Sequence, residues 1–447
     1  MSTQKPPFND NRRFLANETD NPLHEAFDHK MTVHAMPKGE SIRPEKLPGL
    51  WADVMSAKDG SPIRTIYIHI PFCEGHCLFC GFYQNAYRLD LAEQYVEALI
   101  REMELTAGTS FINARPFQAV YFGGGTPTAL PAESLTRLVS TVKTLFPLSN
   151  DCEITLEGRI YNFAKEKIEA ALSAGINRFS LGVQTFDTRI RKRLGRREPR
   201  KKVIKTLTYL RDLGKAVAII DLIYGLPDQS LEIWEDDIRT FLSLELDGCD
   251  LYQLSIFRGG LLEKSVAKGS LPRPATLKEQ ADYYVRGVEL MEAAHYRRIS
   301  MTHWARMSRE RSLYNLFSRG RGDCVPLGSG AGGWLRNYFF FVEGDLKDYF
   351  SAIKAGRKPL SFGVKRPQRD FLFRDISYQM ELGYCDLEEL SKRHDLDLLT
   401  ILRPIISQWE KVDLIKLTDG CLYLTRPGEF WAVNLAQMLI DRIQKDQ

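Results

Sequence analysis

Tyr67-Ile68-His69-Ile70-Pro71-Phe72-Cys73-Glu74-Gly75-His76-Cys77-Leu78-Phe79-Cys80-Gly81-Phe82-Tyr83 is the stretch on which the fold turns. The β-branched alternation from Ile63 to Ile70 reads as a strand, and Pro71 stops it. Three thiols then fall on a loop past the strand's carboxyl end, the edge where barrels and open α/β sheets carry their active sites. Cys73, Cys77 and Cys80, spaced C-x3-C-x2-C, can hold three corners of a cubane 4Fe-4S cluster and leave one iron open to a small molecule. A closed zinc site would need a fourth ligand, for which His76 is the nearest candidate. Three adjacent thiols, an odd number in a chain without a secretion signal, do not read as a disulfide framework.

Working outward, strand and helix signals alternate. Helices are predicted over Ala92–Leu105, Leu135–Leu145, Ala164–Ala174, Lys202–Leu213, Leu231–Leu244 and Lys278–Ala294. Strands are predicted over Gln118–Phe122, Glu153–Leu156, Arg178–Val183, Val217–Ile223, Asp250–Ile256 and Ile299–His303. Repeated βα units imply a parallel sheet with right-handed crossovers, an α/β fold. Beyond residue 345 the pattern becomes short helices and a hairpin, Leu414–Thr418 and Cys421–Thr425 around Asp419-Gly420, which resembles a winged helix. Leu398–Trp409 is mostly apolar with Arg403 as its cation, unlike a DNA-reading helix.

The 447 residues therefore divide into an amino-terminal extension or lid (1–60), a barrel with extra βα elements (61–345) and a small winged-helix-like α+β domain (346–447). Sixty-one basic and 57 acidic residues leave a net charge of +4, too slight to imply nucleic acid or membrane binding. Met1–Asp20 lacks an apolar core segment and no run of eighteen apolar residues occurs, so a cytoplasmic protein without membrane insertion is expected. Of eight cysteines, Cys152, Cys249, Cys324, Cys385 and Cys421 stand singly, as buried or idle thiols. His24, His29 and His34, five residues apart, drift off one helical face and do not make a metal site.

A second informative stretch, Tyr121-Phe122-Gly123-Gly124-Gly125-Thr126-Pro127-Thr128, follows a strand, and its glycines let the backbone approach a ligand closely. With Tyr-Ile-His-Ile-Pro-Phe-Cys ahead of the cysteines, the chain resembles the radical S-adenosylmethionine (SAM) superfamily, and within it the coproporphyrinogen III dehydrogenase-like branch. The resemblance implies a partial (β/α)6 TIM-like barrel, a 4Fe-4S cluster and two SAM molecules. For the cluster-bound SAM it points to Tyr67, Gly124, Glu157 and Trp334. For the second SAM it points to Phe79, Gly125, Thr126, Gln184, Arg196, Asp221 and Ser255. Carboxylates such as Glu157 and Asp221 can bind ribose hydroxyls, and Arg196 can pair with a carboxylate.

Glu157-Gly158-Arg159 departs from the proline-bearing continuation common in the branch, and Arg311-Ser312-Leu313-Tyr314-Asn315 lacks the His-Asn-x-x-Tyr-Trp of its heme chaperones. Pro-Phe-Cys-Glu-x-x-Cys-Leu-Phe-Cys-Gly-Phe-Tyr with Leu-Glu-Gly-Arg downstream resembles the anaerobic heme-degrading methyltransferases, the anaerobilin synthase family. That resemblance implies heme as substrate, a linear tetrapyrrole and freed iron as products, and a flavodoxin-type electron donor. The alternatives are oxidative decarboxylation of coproporphyrinogen and a non-catalytic heme chaperone. Arg159, Arg258, Arg297, Arg298 and Arg336 are candidates to meet propionates. His303 is expected to end the last barrel strand near the substrate, as axial ligand or proton donor, and His69 to pack beneath the cluster. Arg159 and His303 are the expected catalytic residues.

Overall fold

The computed structural model describes residues 12–31, 34, 35 and 37–445. Six parallel strands carry the sheet: β1 Arg64–Ile70, β2 Phe117–Gly124, β3 Leu148–Gly158, β4 Arg178–Gln184, β5 Val217–Tyr224 and β6 Gly248–Gln253. Each is followed by a helix: α1 Leu89–Ala107, α2 Ala132–Leu145, α3 Lys165–Ala174, α4 Arg200–Leu213, α5 Leu231–Leu244 and α6 Leu277–Ala293. β4 is buried along its whole length, as expected of a parallel strand covered on both faces. Local chemistry sets the boundaries. Ser230 accepts from Ile233 N to start α5, a Thr276–Glu279 capping box starts α6, and Gly175 at φ 118° ends α3.

The nine-stranded sheet has the order β7-β8-β6-β5-β4-β3-β2-β1-β9, where β7 is Arg297–Arg298, β8 His303–Ala305 and β9 Asp323–Leu327. β9 runs parallel to β1, whereas β8 runs antiparallel to β6. The strand expected over Ile299–His303 is instead a tight reversal. Ile299 N donates to His303 O at 2.8 Å, and His303 begins β8 rather than ending a parallel strand.

A four-stranded antiparallel sheet follows β9 and combines Gly332–Leu335, Tyr338–Val342, Leu360–Lys365 and Glu40–Ser41 from the extension. Leu360–Lys365 thus pairs across the 345/346 division. In the carboxyl-terminal region the hairpin forms where expected, with Asp419 at φ 49° and Gly420 at φ 74°, and Tyr384–Asp386 adds a third strand. The extension's hydrogen bonds run to this region and to α6: Trp409 Nε1 to Phe14 O, Trp431 Nε1 to Pro22 O, and His24 to Asp282. The chain passes from it into the sheet at the amino-terminal edge, where Ser61 N donates to Asp323. Among the described residues no helix is long and apolar enough to cross a membrane.

Candidate functional site

Pro71 ends β1, and the chain crosses the carboxyl edge of the sheet as a loop closed at its base. Phe72–Cys73 pairs with Asn85–Ala86, and Tyr87 N donates to Cys73 O at 2.9 Å. Within the loop Cys80 N donates to Cys77 O at 3.0 Å. Leu78 and Phe79 pack on a small apolar cluster that includes Ile190, Leu194, Ile223 and Leu254, so the loop rests on the exits of β4, β5 and β6. All three cysteines are free, with Cys73 and Cys77 buried.

Each sulfur has a polar group beside it. Thr126 Oγ1 lies 3.3 Å from Cys73 Sγ, Arg159 Nη2 donates to Cys77 Sγ at 3.1 Å, and Phe82 N donates to Cys80 Sγ at 3.3 Å. Burial pushes the Cys73 and Cys80 thiols up, against the pull of these donors. Among the described residues no three His, Cys, Asp or Glu side chains converge on one point as a single metal ion requires. Three free cysteines on one loop offer the three thiolates that a cubane with one open iron takes. His76 stacks on Tyr83 with centroids 4.1 Å apart, and its Nε2 lies 3.4 Å from Cys80 O.

Gly123-Gly124-Gly125 runs beside this loop. Gly124 sits at φ 112° against the His69 ring, and the Gly124 N donates to Glu157 Oε2 at 3.2 Å. Burial raises the Glu157 carboxyl, and Tyr121 OH at 2.5 Å with Gly124 N partly offsets the shift. Tyr67 packs beside the stacked pair Tyr121 and Tyr314, whose centroids are 4.4 Å apart, and meets His69 Nδ1 through its hydroxyl at 3.0 Å. Tyr67, Gly124 and Glu157 therefore share one wall of the interior.

A second set surrounds Gly182. A Cβ there would lie 2.7 Å from Gln184 Nε2 and 3.4 Å from Arg196 Nη2, and Asp221 is its register partner on β5. Gln184, at φ 73°, is buried, and among the described residues its Oε1 and Arg196 Nε find no partner. Burial first, then the neighbouring Asp250 and Glu157, hold the Asp221 carboxyl well above its usual range. Unpaired buried polar groups are costly, and a cluster of them marks a place for a polar ligand. Asp221→Asn should accordingly raise the thermal midpoint of the ligand-free protein. A carboxyl with a raised folded value loses stability as pH rises above the ordinary carboxylate range, so the gain should be larger at pH 8 than at pH 5. A gain that does not grow with pH would remove this account of Asp221.

Gly125 and Thr126 line the cysteine loop, Phe79 lies beneath Arg196 with its ring 5.6 Å away, and Ser255 is half-buried after β6. Trp334 is a correction. The chain turns back after β9, and Trp334 packs against Phe339, Arg366 and Arg374, level with Cys324 near the strand's amino-terminal end and away from the cysteine loop. The axial-ligand reading of His303 is corrected: Nδ1 meets Asp250 at 2.8 Å and Nε2 meets Glu310 at 3.1 Å, which leaves no ring nitrogen for an axial bond. Burial opposes its charge, but those two carboxylates prevail and lift the imidazole to about 9. Glu310 in turn closes on Arg178, and both side chains are fully buried. Neither Glu310, in a run of surface-like charges, nor Tyr314 was singled out from sequence for the interior.

Arg297 reaches Glu310 O, Arg298 pairs with Glu429, and Arg336 pairs with Asp59, so these three arginines are engaged away from the mouth. Arg258 stays exposed after β6, beside Phe257, whose ring packs on Gly81.

Comparison with known proteins agrees with this geometry. Residues 67–241 match the radical SAM superfamily. Anaerobilin synthase of Escherichia coli O157:H7 is 39% identical over 406 residues, 90% of this chain and 89% of that protein. Heme chaperone HemW of Escherichia coli K12 is 30% identical and covers 83% of this chain and 94% of its own. The crystal structure of coproporphyrinogen III oxidase (HemN) from Escherichia coli superposes with a TM-score of 0.75 at 22% identity, over 88% of this chain and 93% of that one, and shares the fold. The chain belongs to the radical SAM superfamily, in the branch that groups these tetrapyrrole-related proteins.

Proposed function

We propose that this protein degrades heme without oxygen. One SAM gives a radical, a second SAM supplies a methyl-derived carbon, the macrocycle opens to a linear tetrapyrrole and iron is released. The observation that carries the reading is the likeness to anaerobilin synthase along most of the chain, and two polar sets beside the cysteine loop accord with it. Tyr67, Gly124 and Glu157 form the first, and Gln184, Arg196 and Asp221, with their unpaired atoms around Gly182, form the second. Two such sets suit two SAM molecules, with Glu157 and Asp221 for ribose hydroxyls and Arg196 for a carboxylate.

When bound, a 4Fe-4S cluster supplies the electron that cleaves SAM, and the chain's residues do the rest. Cys73, Cys77 and Cys80 would hold it; Arg159 and Phe82 donate to the sulfurs of Cys77 and Cys80, and the Thr126 hydroxyl lies beside that of Cys73. At the mouth, Phe82 at 70%, Ile256 at 48% and Phe257 at 47% exposure offer an apolar face, with Arg258 beside it as a cation for a propionate. A flavodoxin-type protein is the proposed electron donor.

The test is anaerobic incubation of cluster-loaded protein with SAM, reductant and heme, followed by absorbance and mass analysis. Loss of the Soret band together with a SAM-derived methyl in a linear product, absent in Cys77→Ala, is the expected result. Heme that binds and stays intact would replace this reading with a chaperone. Carbon dioxide release from coproporphyrinogen would replace it with a decarboxylase.

A further inference from the structure

Arg159 leaves the end of β3 and crosses to the cysteine loop. Its Nη2 donates to Cys77 Sγ at 3.1 Å and its Nη1 to Gly75 O at 2.8 Å. The backbone is built to bring it there. A Cβ on Gly158 would lie 2.3 Å from Thr128 Cγ2, so glycine lets the strand close on Thr128, whose Oγ1 accepts from Arg159 N at 3.1 Å. Three residues on, Asn162 donates to Glu74, a second tie between the same two loops.

The electrostatics around Cys77 agree with this placement. Arg191 and Arg196 are buried nearby, and their hydrogen bonds go to main-chain carbonyls: Arg191 to Val183, Thr185 and Glu198, and Arg196 to Gly182. Both are pushed down by burial and held up in part by Cys77. Three guanidinium groups gathered where cysteines sit, with carbonyls and sulfur as their hydrogen-bond partners, suit a site that gains negative charge.

We propose that Arg159 is a positioning residue that sets the reduction potential of the cluster. A guanidinium N–H on the Cys77 thiolate stabilises the form that carries one more electron, because that form places more negative charge on sulfur. The electron comes from an external one-electron reductant, and no bond of the chain is made or broken. The inference rests on the cluster of the radical SAM family alone and holds whichever porphyrin is the substrate, so its failure leaves the heme reading standing.

The test is a mediated dithionite titration of reconstituted protein without SAM, followed by electron paramagnetic resonance, for wild type, Arg159→Lys and Arg159→Leu. Arg159→Leu should shift the reduction equilibrium toward the oxidised cluster by about tenfold or more, which for one electron is about 59 mV to lower potential per tenfold. Arg159→Lys, keeping the charge but not the forked geometry, should fall between the two. Equal potentials in wild type and Arg159→Leu at equal iron content overturn the proposal, and so does a difference that appears only once SAM is added, which would assign Arg159 to the SAM carboxylate. Should Arg159→Leu not retain iron, Arg159→Lys and Arg159→Gln carry the comparison, and potentials equal to wild type in both overturn it.

Discussion

Arg178→Leu should destabilise the protein by about 3–5 kcal/mol, the range for removing one partner of a buried ion pair. Arg178 donates through Nε and Nη2 to Glu310 at 3.0 Å, and its side chain is 1% exposed against 0% for Glu310. The same guanidinium also acts on buried Glu153. Leucine would leave Glu310 with only His303, and Glu153 with no buried cation. The coupled variant Arg178→Leu/Glu310→Leu should recover much of the loss, because replacing both partners by apolar groups removes the uncompensated charge. Urea midpoints of the three proteins check this, and equal midpoints for the single and double variants would refute it.

The same network gives a pH dependence with a definite sign. Burial would raise Glu310, but Arg178 and His303 outweigh it and hold the carboxyl at about 2. His303 is raised to about 9. A depressed carboxyl contributes stability above its ordinary value and loses it as pH falls through the folded value. A raised imidazole contributes below its ordinary value and loses it as pH rises through the folded one. The pair is therefore at full strength between the ordinary carboxylate and imidazole ranges, and weakens as pH falls through about 2 or rises through about 9. His303→Gln should flatten the alkaline side of a midpoint-against-pH curve and weaken the acid side only in part, since Glu310 loses the imidazolium but keeps Arg178. An unchanged alkaline side would show that His303 is not charged in the folded protein.

Legibility in the sequence followed how local the cause was. Leu231–Leu244 is the helix expected because Ser230 caps it and its apolar spacing is regular. β3 reaches back to Leu148, beyond the expected Glu153–Leu156: Leu148 pairs with Phe117 of β2, and the turn-forming Ser149-Asn150-Asp151 lies in an irregularity before pairing resumes at Glu153 with Ala119, which no local pattern announces. The cysteine loop and the glycine turn carry their chemistry in contiguous residues, so the sequence placed them well. Glu310 could not be found that way: Arg309-Glu310-Arg311 reads as surface charge, and its burial depends on β4 lying across the sheet. Trp334 was misplaced for a similar reason, since nothing local fixes the direction in which the chain turns back after β9. Arg159 was visible as a departure, but its contact with Cys77 spans 82 positions and belongs to the tertiary structure.

The cysteine loop and the glycine turn depend on each other, and this gives the largest effect expected on the site itself. A Cβ on Gly125 would lie 2.7 Å from Phe72 O and 3.0 Å from both Phe72 C and Phe72 N. These are backbone atoms held by the Phe72–Cys73 pairing with Asn85–Ala86 and by Gly125 N on Ile70 O at 2.9 Å, so no rotamer change relieves the clash. Gly125→Val would drive the base of the loop away from β2 and carry Cys73 off Thr126. Iron and sulfide retained after reconstitution should then fall close to those of Cys73→Ala, while the far-ultraviolet circular dichroism stays that of wild type, since the sheet below the loop is unaltered. Gly214, where a Cβ meets nothing within 4 Å, supplies the control: its φ of 63° strains Gly214→Ala without touching the site, so iron should be retained. Full iron retention by Gly125→Val would mean that the loop can shift as a unit and that the close approach of the glycine turn serves SAM rather than the cysteines.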